Sequence, residues 1–282
     1  MIASNPFAEL AVVIPPAAMQ VYVLLMLLLV VAGTILDMRH KKSAQYFFEN
    51  ARKAKKNATR TLSAGEKSTL ALKTVTKEVL TSGEFHNPKR RISHLLTMYG
   101  FILFVVTTAI LIFAYPTFSD PAPHILPLLW RLGAAMLCLG GYWFWFSIRV
   151  DVASEGVKWY RLNGRGDLFI VGLLGMATFA LLWSFTMGMG ALNLLFFALF
   201  ITFSTLLFGS VYWSKFAHMF FKPAAAFQKR VTKADGSREN MPAVYDLSDP
   251  EVQVRFPDIP TYMGAKPPHM GLGIKRETPN HF

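Results

Sequence analysis

The sequence predicts an all-α integral membrane protein: a helical bundle with five transmembrane helices, its N-terminus outside and its C-terminus cytoplasmic. Three observations carry that prediction. Hydrophobic residues make up 53% of the 282 residues and charged residues only 16%, against about 25% charged in a typical soluble domain. Five stretches are long and apolar enough to cross a bilayer core, which takes about 20 helical residues because lipid offers no partner to an unpaired backbone amide. The basic residues gather in alternate connections between those stretches. Composition alone argues against a water-soluble enzyme.

The first stretch, residues 11–36, belongs to an N-terminal unit of residues 1–36. Its leading flank MIASNPFAEL holds an acid and no base, and no Ala-x-Ala-like site follows the long apolar run, so it reads as a retained helix and not a signal peptide. Pro15 and Pro16 suit its first turn, where a missing amide hydrogen costs little. Residues 37–91 follow as two amphipathic helices. Tyr46, Phe47, Ala51 and Ala54 recur against Arg52, Lys53, Lys55 and Lys56; Leu72, Val75 and Val79 oppose Lys73, Lys77 and Glu78. Such helices lie on lipid headgroups, dock a soluble partner, or do both.

Residues 92–222 hold the other four spans as a bundle, at 92–115, 125–150, 168–188 and 191–219. The last two are parted only by Met187-Gly188-Met189-Gly190, which predicts a tight hairpin, since one uninterrupted helix would overshoot the membrane. From 223 to 282 the composition turns to Pro, Gly and charge, which gives either a loose cytoplasmic tail or an arm that orders on a partner, and scattered aromatic and aliphatic residues favour the arm. Tyr245, Val254, Phe256, Ile259, Tyr262 and Met263 are the side chains that would anchor it.

Orientation follows from charge. Of the 29 Lys and Arg, 14 lie in residues 37–91, 4 in 149–167 and 10 in 215–282, while the N-terminus, the loop TFSDPAPH and the glycine hairpin hold none. By the positive-inside bias these basic connections are cytoplasmic. A formal net charge of +12 then belongs mostly to a surface facing anionic lipid headgroups, not to a nucleic-acid site.

Chemistry has few carriers. The single cysteine, Cys138, excludes an internal disulfide, a redox pair and a four-cysteine cluster. There is no phosphate-binding loop, nucleophile elbow or zinc-protease motif, so the chain by itself is not an independent hydrolase or kinase. His94 and His218 remain, at the cytoplasmic ends of two oppositely running spans. Facing imidazoles of this kind hold the iron of a b-type haem, although a half-polar ring also sits comfortably at an interface. His124 has no histidine counterpart at the outer side and Met187 or Met189 is a weak one, so one haem at most is expected. Arg131, beside Trp130, is the one charge well within a span. It either meets a haem propionate or a quinone carbonyl, or snorkels to the outer interface. Asp167 reads as a helix N-cap.

The stretch ALKTVTKEVLTSGEFHNPKRRISHLLTMYGFILFVVTTAIL resembles the membrane cytochrome subunits of quinone-interacting oxidoreductases and heterodisulfide reductases, relatives of the gamma subunit of respiratory nitrate reductase. An amphipathic helix, a basic turn and an Arg-x-x-x-His-Leu-Leu helix start occur there in the same order, here with Arg90, His94, Leu95, Leu96, Tyr99, Gly100 and Phe101. The resemblance runs through RGDLFIVGLLGMATFALL to YWSKFAHMFF, whose Lys215, Phe216 and His218 are similar to a terminal Lys-Phe-x-His. It covers roughly residues 65–225. It implies His94 and His218 as axial ligands of one haem b, and electron passage between a cytoplasmic partner and quinone. The chain lacks the extra histidines of two-haem members and any cysteine-rich domain. In size and in its tail it looks like the membrane-anchor subunits associated with dissimilatory adenylylsulfate reductase.

The expectation is therefore a multi-pass anchor in the inner (plasma) membrane, tying soluble flavin and iron-sulfur oxidoreductase subunits to the quinone pool. A haem-free tether is the alternative. A small transporter is the weaker one, since the interiors of the spans hold one basic residue, no acidic residue and no broken-helix pair.

Overall fold

The computed structural model describes residues 4–83, 85, 87–151, 155–239 and 249–256. Among them there is no strand. The helices are α1 (Pro6–Leu10), α2 (Pro16–His40), α3 (Ser43–Asn57), α4 (Ala64–Thr74), α5 (Pro88–Phe113), α6 (Ile125–Trp143), α7 (Gly164–Phe185), α8 (Ala191–Gly209), α9 (His218–Ala234) and α10 (Pro250–Arg255). Helix α4 runs on into a π-helical turn, Val75–Leu80, and α6 into another, Phe144–Ile148. Five of the helices, α2, α5, α6 with its π turn, α7 and α8, are long and apolar enough to cross a membrane. The protein is an all-α, multi-pass membrane protein, as the hydropathy predicts.

Helices α5 to α8 pack as sequential antiparallel neighbours around the core, and α2 lies across α8 and α5. The peripheral place of α2 is visible in its burial. Only 11% of its most apolar window is buried, against 44% for α6 and α7. Its buried residues, Met19, Met26, Gly33 and Asp37, form one stripe, and Leu24, Leu25, Leu27 and Leu28 stay exposed as a lipid-facing helix requires. Within the bundle, α5 and α6 approach so closely that a Cβ on Gly133 would lie 2.7 Å from the amide nitrogen of Phe104. Ser93 Oγ seals the same crossing by donating to the Gly140 carbonyl at 2.8 Å. Small residues serve here because lipid gives helices no hydrophobic reason to associate, and close backbone contact must replace it. The predicted hairpin is present: α7 ends at Phe185, α8 starts at Ala191, and Gly188 and Gly190 take φ of 84° and 55°, a left-handed backbone that glycine adopts without penalty.

Three features differ from the sequence expectation. The N-terminal residues do not simply lead into a span. Helix α1 is buried, with Phe7 meeting the rings of Trp130 and Trp183 edge-on at 5.6 and 5.2 Å, and Asn5 donating to the carbonyl of Tyr115 at 2.7 Å. The fifth span ends at Gly209, so His218 opens a separate helix after a turn instead of closing the span. Residues after 223 do not begin as an arm awaiting a partner, because α9 continues to Ala234 and packs on α3, α4 and the π turn. Its strong amphipathicity finds a surface within the chain. Arg230 pairs with Glu78, Asn57 with Glu239 at 3.0 Å, and the amides of Thr59 and Arg60 donate to the Asp235 carbonyl at 2.9 and 3.2 Å. Of the expected anchoring side chains in the tail, Val254 and Phe256 are exposed, while Tyr245, Ile259, Tyr262 and Met263 lie outside the described residues.

The charged connections all emerge at one end, called here the basic end; α1, the 114–124 loop and the glycine hairpin form the other, the N-terminal end.

Candidate functional site at the basic end

Helix α5 begins at Pro88, with Asn87 as its cap; the Asn87 side chain accepts from the amides of Lys89 and Arg90 at 3.0 and 3.4 Å. That start sets His94 in the second turn. Its Nδ1 lies 2.9 Å from Ser82 Oγ. Ser82 is fully buried and holds φ at 47°, a left-handed conformation that costs a non-glycine residue about 1–2 kcal/mol. The imidazole also rests against Phe85, with centroids 4.9 Å apart. Two cations cover that same ring, Arg90 at 5.2 Å and Lys222 of α9 at 5.5 Å.

His218 is the first residue of α9. Its Nδ1 is hydrogen-bonded to the Lys215 carbonyl, and its ring meets Phe169 of α7 edge-on at 5.8 Å. Two residues earlier, Phe216 plugs the basic end of the core, 2% exposed. It touches Phe101 of α5 at 6.2 Å, Phe169 at 5.7 Å and Phe208 of α8 at 6.0 Å. Phe101 lies seven residues from His94, two turns along the same face of α5. Both histidines therefore lie at the basic end, His94 against Phe85 and His218 against Phe169.

Two imidazoles are the donor type that the iron of a b-type haem takes. Iron takes the lone pair of a neutral imidazole, whose orientation is held by a hydrogen bond at the other ring nitrogen. In both histidines Nδ1 has a hydrogen-bond partner, Ser82 Oγ for His94 and the Lys215 carbonyl for His218. Neither Ser82 nor Phe85 is marked in the sequence as a partner of His94. A serine five residues before the Asn87 cap is the one hint the sequence offers.

Arg131 is not part of this group. It sits in the second turn of α6, twelve residues before the end of that helix, about 18 Å along its axis at 1.5 Å per residue. Nor does it snorkel outward: it is 6% exposed and donates to Ser184 Oγ at 2.5 Å, the Pro127 carbonyl at 3.1 Å and the Ser4 carbonyl at 3.2 Å. These bonds hold the N-terminal segment in the mouth of the bundle. His124 lies just before α6 at that same end, and Met187 is buried near Ser4 while Met189 is exposed.

A second buried arginine escaped the sequence reading. Arg149, after the π turn of α6, is fully buried. It pairs with Asp167 at 2.5 Å, lies over the Trp145 ring at 4.2 Å, and donates to the carbonyls of Lys158 at 3.1 Å and Arg161 at 2.8 Å. Asp167 is accordingly not the N-cap of α7. Asn163 holds that position, and Asp167 accepts the Asn163 amide at 2.6 Å from inside the first turn. In sequence Arg149 looks like one more basic residue flanking a span, and its carboxylate partner is 18 positions away.

Outside the spans, the collar of α3, α4 and α9 shifts two groups. The Ser63 amide and Arg60 hold the Glu66 carboxyl below its usual range. Burial, reinforced by Lys233, holds Lys229 below the usual lysine range. Among the described residues no cluster of three or more His, Cys, Asp or Glu is placed to hold a metal; a two-histidine set is smaller than that. Set against known proteins, the chain matches no protein-family model, no curated protein and no solved structure.

Proposed function

We propose that this chain is a membrane anchor and electron-transfer subunit. It ties a soluble flavin and iron-sulfur oxidoreductase, of the adenylylsulfate reductase type in sulfur oxidation, to the quinone pool of the inner membrane. The observation that supports this most is the pair His94 and His218 at the same end of the bundle, each with Nδ1 engaged. Those two residues hold one haem b, which supplies one-electron transfer when bound. Ser82 and the Lys215 carbonyl orient the two rings. The collar of α3, α4 and α9 lies on the same side and offers the docking surface, with exposed Tyr46, Phe48 and Leu72 among its cations. By the charge rule that side is the cytoplasm.

The test is an absorbance spectrum of the purified chain, before and after dithionite. A reduced b-type α band is expected, and it is expected to vanish in His94→Ala and in His218→Ala while both variants still insert. Haem retained in both variants overturns the ligand pair. A haem-free tether is the second reading, and the aromatic cluster around Phe216 favours it, since rings from α5, α7 and α8 already fill the core at that end. A featureless spectrum together with co-purification of the soluble partner selects the tether.

A further inference from the structure

The connection between α6 and α7 is unusually constrained for a loop. Arg149, fully buried, holds the carbonyls of Lys158 and Arg161, and its own carbonyl accepts the Val157 amide at 3.0 Å. Trp145 Nε1 donates to the Trp159 carbonyl at 3.1 Å. Four consecutive or near-consecutive backbone groups are thus tied to the end of α6, and the side chains of residues 158–162 are turned outward: Lys158, Trp159, Tyr160, Arg161 and Leu162 are all exposed. Beside them is an open cavity of about 360 Å³ lined by Gly156, Val157, Lys158, Arg161 and Asn163. The Arg161 amide donates to the Lys158 carbonyl at 3.0 Å, and both residues line the cavity, with Lys158 Nζ 5.8 Å from the Tyr160 ring. Asp167 does not neutralise them, because Arg149 occupies its carboxylate. Asp151 and Glu155 are the acids at the start of the same connection, so its charge is mixed and the cationic part is local to the cavity.

An apolar track leads away from that cavity. Trp159 stands 6.2 Å from Phe146, which stacks on Tyr142 at 6.0 Å; all three are exposed, and Tyr142 and Phe146 lie along α6 and its π turn with exposed Leu139. Phe146 is the third residue of the π turn that ends the span. Aromatic rings at a span end, followed by cations, match the depth profile of a phospholipid: acyl chain, glycerol region, phosphate. A soluble phosphate needs the cations but has no use for the track.

We propose that this cavity and track form a binding site for one anionic phospholipid, with the phosphodiester headgroup between Lys158 and Arg161 and an acyl chain along Trp159, Phe146 and Tyr142. The site is independent of any haem or soluble partner. Arg149 acts as its positioning residue by fixing the loop backbone.

The experiment uses the full chain in a mild non-ionic detergent, with native mass spectrometry against equal amounts of a phosphatidylglycerol and a phosphatidylcholine. One phosphatidylglycerol is expected to stay bound after other lipid is stripped. The double variant Lys158→Gln, Arg161→Gln should weaken that binding by about thirtyfold, the worth of two basic groups near an anionic headgroup. Trp159→Ala should weaken it with both cations in place. Removing two exposed cations elsewhere, in Lys42→Gln, Lys89→Gln, should leave it within about twofold. Millimolar inorganic phosphate should not displace the lipid. Equal retention of both lipids, equal damage from the Lys42/Lys89 variant, or displacement by phosphate each overturns the proposal. Circular dichroism and melting curves check the variants' fold, and the single variants Lys158→Gln and Arg161→Gln serve if the double variant melts early.

Discussion

The two ends of the bundle each bury an arginine, and they make it acceptable by different means. At the N-terminal end Arg131 is set among neutral oxygens that include the Ser184 hydroxyl and the carbonyls of Pro127 and Ser4. At the basic end Arg149 faces the Asp167 carboxylate, with the Trp145 ring against it. Their use is nevertheless the same. Each guanidinium reaches from a spanning helix to the backbone carbonyls of a segment that does not span, the N-terminal residues in one case and the 157–161 loop in the other. Several donors in a rigid fork make arginine, and not lysine, the residue for such a clamp. A buried charge in this protein is therefore first a device for closing the ends of the bundle. Function has to be argued from other residues, here His94 and His218.

The comparison breaks most visibly at Asp167. Asp167→Ala leaves Arg149 buried without its carboxylate, and losing one partner of a buried pair costs about 3–5 kcal/mol. The expected outcome is a large drop in melting temperature in detergent, with faster hydrogen exchange in the 157–161 loop. Arg149→Lys should not preserve stability, because a compact ammonium cannot reproduce the planar fork whose two terminal nitrogens reach Lys158 on one side and Arg161 and Asp167 on the other. An unchanged melting curve in Asp167→Ala would show that the pair is not the clamp. Arg131→Met should cost less, about 1.5–3 kcal/mol, the range for a hydrogen bond to a charged group. Its signature is local: exchange should rise in residues 5–10 and stay unchanged in the 157–161 loop.

Gly140→Val, near the basic end of α6, separates clamping from helix packing. Its new Cβ would lie 2.7 Å from the Ser93 carbonyl oxygen, and such overpacking costs about 1–3 kcal/mol. Both clamped segments should keep their exchange rates relative to the bundle. The smallest effect is a pH dependence in the collar, where no guanidinium is buried. The Ser63 amide and Arg60 lower the folded pKa of Glu66, so its contribution is present above the ordinary carboxylate pKa and is lost as pH falls through the lowered value. Amides in the first turn of α4 should exchange faster in that acid range, while both arginine clamps hold. Glu66→Gln should remove the pH dependence.

How much was legible depends on the length of chain over which a signal accumulates. The five spans and the break at Gly188 and Gly190 are readable because about 20 apolar residues or a pair of glycines state them locally. His94 and His218 were legible as candidates for the same reason, each marking the edge of an apolar run. Helix α1 was not, since five residues are too few to show a period, and Phe7 is recognisable as core only once Trp130 and Trp183 surround it. Helix α9 carried a readable signal in its amphipathic repeat, yet Pro223 and the charged composition drew the boundary of the tail too early. The Arg149–Asp167 pair was invisible because each residue has an ordinary local explanation, a basic flank and a helix start.

Hydropathy and charge are sums over stretches of chain, so composition and order already dictated an all-helical, multi-pass protein with one basic end. Which polar atoms meet inside it is a different kind of quantity, set by three-dimensional proximity between residues far apart in the chain, 127 positions in the case of Arg131 and Ser4. A buried guanidinium needs oxygen partners within hydrogen-bond distance. Folding alone brings those partners together, and it is this that turned two arginines into clamps, placed Ser82 beside His94, and set His218 at the start of its own helix.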